Sequence, residues 1–275
     1  VGLKPYSKAL YHNEQLKSLS RYRFSKVRER AVLKQQLARL VNILFPELEK
    51  LVPSLHLSSV YALLEQFPGA SYVANAHLTK LTNLLSSSSS GHYKKEKAIQ
   101  IRNASVSSVG CIMPAKSLEL KHTVALIRVL SEEIEEIETE IKKLMDELHS
   151  PITSIPGISY RMAAMILSEI GDFSNFDSPD KILAFAGLSP STYQSGKLDN
   201  AHSHMEKRGS RYLRYALFTA ATYVCIWDKT FSDYLHKKLA EGKHYYVALS
   251  HAIKKLVRVI YALQTTGQTY FSAVA

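Results

Sequence analysis

VALIRVLSEEIEEIETEIKKLMDEL, residues 124–148, decides the fold class. Within it Ile127, Leu130, Ile134, Ile137, Ile141, Leu144 and Leu148 alternate steps of three and four over three heptads, the apolar seam of a coiled-coil-like helix. A strand alternates every second residue, so this spacing predicts a helix, extended back to about Ser117. Its other side carries Glu132, Glu133, Glu135, Glu136, Glu138 and Glu140. Such a face repels a polyanion, so this helix reads as structural: a helical hairpin or an oligomerisation arm.

Outward from it, the chain keeps reading as helix. Leu16, Leu19, Leu33, Leu37, Leu40 and Leu44 recur at helical spacing between about Asn13 and Leu44, and Pro46 limits that element. This first helix is the natural partner of the long one within the chain, pairing between chains being the rival. It carries Lys17, Arg21, Arg23, Lys26, Arg28, Arg30, Lys34 and Arg39, with Glu29 the one acid among them. Like charges so spaced destabilise an isolated helix, unless a phosphate backbone lies along it. Val60–Gln66, Leu78–Leu85 and the Lys94–Arg102 segment read as shorter helices, with Ser86–Ser90 a low-complexity connection.

The charge is uneven. Residues 1–50 hold 11 basic and 4 acidic side chains, residues 51–150 hold 10 and 11, and residues 151–275 hold 14 and 9, giving +11 over 275 residues. Two basic ends around an acidic middle point to a polyanion touching two separated surfaces. No run of 18 apolar residues suits a membrane span. The beginning has no apolar signal core, and two cysteines, Cys111 and Cys225, supply neither a disulfide framework nor a thiolate zinc site. The expectation is a cytoplasmic chain with free thiols.

Pro151 divides a helical and coiled-coil region (1–150) from a helical C-terminal domain (151–275). In the latter, Ile155-Pro156-Gly157-Ile158 followed by a helix from about Ser159 to Ile170 is a helix-hairpin-helix-like element. Backbone N–H groups there can hold a phosphate without side-chain charge, and a tight turn that binds nothing is the alternative. Short helices follow at Lys181–Ala186, Tyr212–Ile226, Phe231–Ala240 and Tyr246–Leu263. Trp227 and Phe231 read as rings that pack helices together, base stacking being their other use. Between Ser189 and Gly209 lies a loop or small hairpin with Gln194-Ser195-Gly196-Lys197, then His202, His204, Lys207 and Arg208, with Arg211 and Arg214 on the next helix. A serine needs a base or positive surroundings to attack a phosphodiester, and arginines stabilise the charge that develops on phosphorus. His202 and His204 have no third ligand close in sequence, so no metal site is expected.

Order and spacing then carry a resemblance. Ile155-Pro-Gly-Ile158, Ala163–Leu167, Glu169-Ile-Gly-Asp172, Phe176, Phe185-Ala-Gly-Leu-Ser-Pro190, Gln194-Ser-Gly196, Lys207-Arg-Gly209 and Leu213-Arg214 are similar to the C-terminal domain of the Piv/MooV-like insertion-sequence transposases, the bridge-RNA-guided recombinases. Leu3-Lys-Pro-Tyr6 and the two long helices resemble the family's upstream part. The resemblance implies DNA strand cleavage and rejoining, with Ser195 as the nucleophile. It also implies a phosphate held by Gly157, Lys197, Lys207, Arg208, Arg211 and Arg214. Guide RNA would meet Lys17, Arg21, Arg23, Lys26, Arg28, Arg30 and Lys34, and the enzyme would work as a dimer or tetramer. It implies Mg²⁺ held by four carboxylates of an RNase-H-like, RuvC-type N-terminal domain. That domain ends just before Leu3-Lys-Pro-Tyr6 in the family, so it is expected to be missing here, and the 275 residues alone are expected not to cleave DNA. A non-catalytic nucleic-acid-binding and oligomerisation module is the alternative.

Overall fold

A computed structural model describes residues 8–189, 194–195, 198–199 and 205–271. The described residues are mainly α-helical, and they pack as two compact units, Val1–Arg23 with Ile137–Ala275, and Phe24–Glu136.

The second of these units holds the greater part of α1 (Lys8–Leu44), then α2 (Leu48–Leu51), α3 (Ser58–Gln66), α4 (Ala70–Ala74), α5 (Leu78–Ser88), α6 (Lys95–Val106) and the first two-thirds of α7 (Pro114–Leu148). Leu37, Leu40 and Leu44 of α1 meet Leu63, Leu64, Leu81, Leu85, Ile101 and Leu120 in one apolar core. The serine run departs from its expected role as a connection, since α5 continues through Ser88. The Ser87 and Ser88 hydroxyls both donate to the Leu84 carbonyl, and Leu81 and Leu85 hold that helix to the core. Local hydroxyl-to-carbonyl bonds of this kind let serine stay helical where burial of its neighbours demands it.

Within each unit α1 and α7 run antiparallel. In one, His12 faces Glu147 at 3.7 Å and Arg23 pairs with Glu138 at 2.6 Å. In the other, Lys26 pairs with Glu133 at 2.9 Å, Arg30 donates to Ser131, and Gln36 donates to Glu119. The seam of α7 follows the expected register from Ile127 to Ile141 and then shifts: Met145 is buried, whereas Leu144 is half-buried and Leu148 is 36% exposed. A straight helix drifts by about 20° per heptad against a 3.5-residue repeat, and the step from Ile141 to Met145 follows that drift.

The other unit adds α8 (Tyr160–Ile170), α9 (Pro179–Phe185), α10 (Arg211–Trp227), α11 (Lys229–Ala240) and α12 (Tyr245–Thr266), with one short antiparallel ladder, β1 (Gln194–Ser195) and β2 (Leu198–Asp199). Ala163 and Ala164 of α8 and Ala216, Ala220 and Ala221 of α10 are fully buried. Such small side chains let helix axes approach toward the short end of the usual 8–10 Å range. Asp228 ends α10 and caps α11, its carboxylate accepting from the Phe231 N–H at 3.0 Å and from the Tyr270 hydroxyl at 3.0 Å. The resulting turn buries Phe231 and leaves Trp227 69% exposed. Only the first of these two rings therefore packs helices together, as the sequence led us to expect of both. The cysteines are free, Cys111 exposed and Cys225 buried, and burial pushes the Cys225 thiol up to about 11.

Among the described residues no helix is long and apolar enough to cross a membrane.

Candidate nucleic-acid interface

The chain on either side of the serine segment is bound together at its base. Phe185–Ser189 lies beside Glu206–Ser210, with the Ser210 N–H donating to the Phe185 carbonyl, the Lys207 N–H to Gly187, and the Glu206 N–H to Ser189, each at 3.2 Å. Two glycines make this approach possible. A Cβ on Gly187 (φ +68°) would lie 2.2 Å from the Arg208 carbonyl oxygen, and one on Gly209 (φ +111°) would lie 2.1 Å from that of Phe185. Both backbones also occupy the left-handed region that side chains disfavour. Arg214 fastens the crossing, its Nη1 donating to the Ala186 carbonyl at 3.0 Å and the Lys207 carbonyl at 3.1 Å.

Below this root sits a buried carboxylate. Glu169 of α8, 3% exposed, accepts two hydrogen bonds from the Arg21 guanidinium of α1, at 2.6 and 3.0 Å, and one from the Ser210 hydroxyl at 2.6 Å. Ser210 in turn caps α10 by accepting from the Leu213 N–H at 3.1 Å. Burial alone would push the Glu169 carboxyl up. The bonds from Arg21 and Ser210, with the charges of Arg21 and Lys17, hold it below the ordinary carboxylate range. Glu138 follows the same pattern between Arg23 and Arg161. Neither carboxylate is singled out by spacing, because each acquires its partner only when α1 comes alongside. Glu169 lies within the Glu169-Ile-Gly-Asp172 motif, and that was the available signal.

The expected site residues thus divide. Lys207, Arg208 and Arg211 are exposed around the root and the start of α10, with the Arg211 guanidinium 4.8 Å from the Tyr212 ring, which Arg21 also approaches at 4.7 Å. Arg214 instead spends a guanidinium nitrogen on the fold. Gly157 (φ +90°) rests on α10, where a Cβ would come within 2.7 Å of the Tyr223 carbonyl. That packing accounts for the glycine apart from any phosphate contact. The backbone of Ser195 pairs with that of Leu198, and Gln194 with Asp199. Lys197, His202 and His204 lie outside the described residues, as do Leu3-Lys-Pro-Tyr6, Ser191 and Ser203.

The basic residues of α1 do not form one stripe of free charge. Arg21, Arg23 and Lys26 are ion-paired to Glu169, Glu138 and Glu133. Arg30 bonds Ser131, and Arg28 lies 5.7 Å over the Phe24 ring. Lys34 is half-buried, and burial followed by the Arg30 charge holds its ammonium below the ordinary lysine value. Among the described residues no three His, Cys, Asp or Glu side chains converge into a set that would hold a metal ion, so these residues offer no fit for the Mg²⁺ that the resemblance implies.

The exposed Lys207, Arg208 and Arg211 stand beside the glycine crossing, in the part of the chain that is similar to known proteins. Residues 149–236 match the model of the transposase IS116/IS110/IS902 family. The chain is 30% identical over 138 residues to an insertion element IS110 uncharacterized 43.6 kDa protein of Streptomyces coelicolor, a match covering 50% of this chain and 34% of the relative. It is also 30% identical over 144 residues to the pilin gene-inverting protein of Moraxella bovis, covering 50% and 45%. Against an insertion element IS116 uncharacterized 44.8 kDa protein of Streptomyces clavuligerus it is 23% identical over 253 residues, covering 90% and 63%. The chain therefore spans from about a third to under two-thirds of the length of these relatives. Over residues 149–236 the chain is thus similar to the transposases of the IS116/IS110/IS902 family, and the relatives it matches are distant ones.

Proposed function

We propose that this chain is the DNA-handling part of an insertion-sequence transposase or recombinase in which the Ser195 hydroxyl attacks the DNA backbone. The observation that carries the reading is a coincidence of place. The family match over residues 149–236 encloses the hairpin of Ser195, the glycine crossing that roots it and the exposed Lys207, Arg208 and Arg211.

In this reading those three cations, with Lys197, take the backbone phosphates, and the helix-hairpin-helix-like turn at Gly157 adds backbone donors. The serine oxygen bonds to phosphorus as the bond from that phosphorus to one sugar oxygen breaks. The hydroxyl proton passes to a base, and the leaving sugar oxygen takes one up. Attack by another strand end reverses the step and rejoins DNA. The positive rim stabilises the charge that gathers on the phosphoryl oxygens. Magnesium, when bound by an RuvC-type domain, supplies further charge neutralisation and activation of the attacking oxygen. Guide RNA is assigned to the α1 cations Lys17, Arg28, Arg30 and Lys34, with the ion-paired Arg21, Arg23 and Lys26 contributing less. A dimer or tetramer is the expected working form.

In the strand-exchange-competent enzyme, Ser195→Ala abolishes the covalent protein–DNA adduct and strand exchange while a gel shift with duplex DNA stays unchanged. An adduct that survives the substitution overturns the assignment and turns attention to Ser189, Ser191 or Ser203. The reading of this chain as a non-catalytic binding module is favoured by one observation, that no convergent acid set exists among the described residues. That module binds DNA and, supplied with Mg²⁺, leaves it uncut.

A further inference from the structure

Trp227, the chain's one tryptophan, completes a ridge along α10. Arg211, Tyr215, Thr219, Tyr223 and Trp227 recur at every fourth residue, and neighbours at that spacing touch along a helix surface. Tyr215 is 43% exposed, Tyr223 50%, Trp227 69%, and Ile226 beside them 65%. Helix α10 gives the core other residues, Leu213, Ala216, Leu217, Ala220 and Val224. Exposed rings gathered along one row of a helix mark a candidate binding surface.

The charge around it selects the partner. Helix α10 contains no Asp or Glu, and Lys207, Arg208 and Arg211 stand exposed at its head. An anion is favoured there, and aromatic faces beside a cationic groove stack on bases. Paired bases already stack within a duplex, so rings of this kind take hold of bases that are unpaired. From Arg211 to Trp227 the row climbs about 24 Å of helix axis at 1.5 Å per residue and winds by about 160° around it, about 40° for each four-residue step, so a strand that follows it wraps around the helix.

We propose that this ridge is a stacking strip for the unpaired bases of a single nucleic-acid strand, with Lys207, Arg208 and Arg211 on its phosphates. The proposal rests on the nucleic-acid reading of this chain and names the form of strand it holds.

Because Trp227 is the chain's sole indole, its fluorescence reports on the ridge directly. The 275-residue chain is titrated with dT12, with rU12 and with a 12-base-pair duplex. Saturable quenching by a single strand supports the strip, the stronger of the two oligonucleotides naming the sugar it prefers, with the duplex quenching little. Tyr215→Ala and Tyr223→Ala each weaken dT12 or rU12 binding by roughly tenfold, whereas Tyr223→Phe keeps the parent affinity. Circular dichroism checks that each variant keeps the parent's helical fold.

Single-strand binding that leaves Trp227 emission unchanged and is indifferent to both alanine variants overturns the strip alone. Emission that shifts with protein concentration in the absence of oligonucleotide, with self-association removed by the alanine variants, makes the ridge a protein interface and also overturns it. Duplex binding without single-strand quenching leaves the DNA-handling reading standing and sinks the strip. Failure to bind any nucleic acid sinks both.

Discussion

Glu169 shows how much a single buried carboxylate organises here. It joins Arg21 of α1 and the cap of α10 through three hydrogen bonds, and its carboxyl lies below the ordinary range once the partners outweigh burial. A folded-state value below the unfolded one gives stability that is present above the unfolded carboxylate value of about 4.3 and lost as pH falls below it. Thermal unfolding of the chain should therefore fall off between about pH 5 and the lowered folded value. Glu169→Gln should blunt that fall and cost roughly 1–3 kcal/mol at neutral pH, the lower part of that range allowing for Arg21 being 43% exposed. A variant as stable as its parent at pH 7 would show that the network contributes little. Because Ser210 is a cap, a glutamine that shifts it would also loosen the first turn of α10.

At the scale of elements, the long helices were legible because their apolar seams repeat over many turns, and α3, α8 and α12 because their seams and breakers agree within a residue or three. The end of the α7 seam was not legible, since a strict heptad carries the eye to Leu144 where an unstrained helix turns Met145 inward. The root of the serine hairpin escaped for another reason: its ladder joins residues about 20 apart, and no periodicity announces such a crossing. Only the glycines of Phe185-Ala-Gly-Leu and Lys207-Arg-Gly hinted at it. Gly209→Ala places a Cβ against the Phe185 carbonyl at a backbone angle that L-residues rarely adopt. It should cost about 2 kcal/mol or more, read as a lowered urea midpoint, whereas alanine at Gly242, with open space around it, carries only the strain of its backbone angle.

At the scale of the molecule, the basic ends and acidic middle of the sequence resolve into two kinds of charge. Arg23 and Lys26 are neutralised by Glu138 and Glu133 of α7, so part of the basic excess of α1 serves the fold. Lys207 and Arg208 are exposed, and counterion release predicts their loss in the salt dependence of binding. Replacing both with Ala should reduce the slope of log affinity against log salt by about two, close to one for each phosphate contact. Arg23→Ala should leave that slope unchanged and instead lower the melting temperature. An equal effect of Arg23 on the slope would return α1 to the binding surface.

The glycine crossing has a consequence for how such proteins diversify. The Glu206 N–H donates to the Ser189 carbonyl, and Gly187, Gly209 and Arg214 lock that closure from outside the segment it encloses. The joint behaves like a socket into which a different hairpin can be fitted. A lineage can rewrite the sequence between these two points, in length or chemistry, and leave the helices on either side untouched.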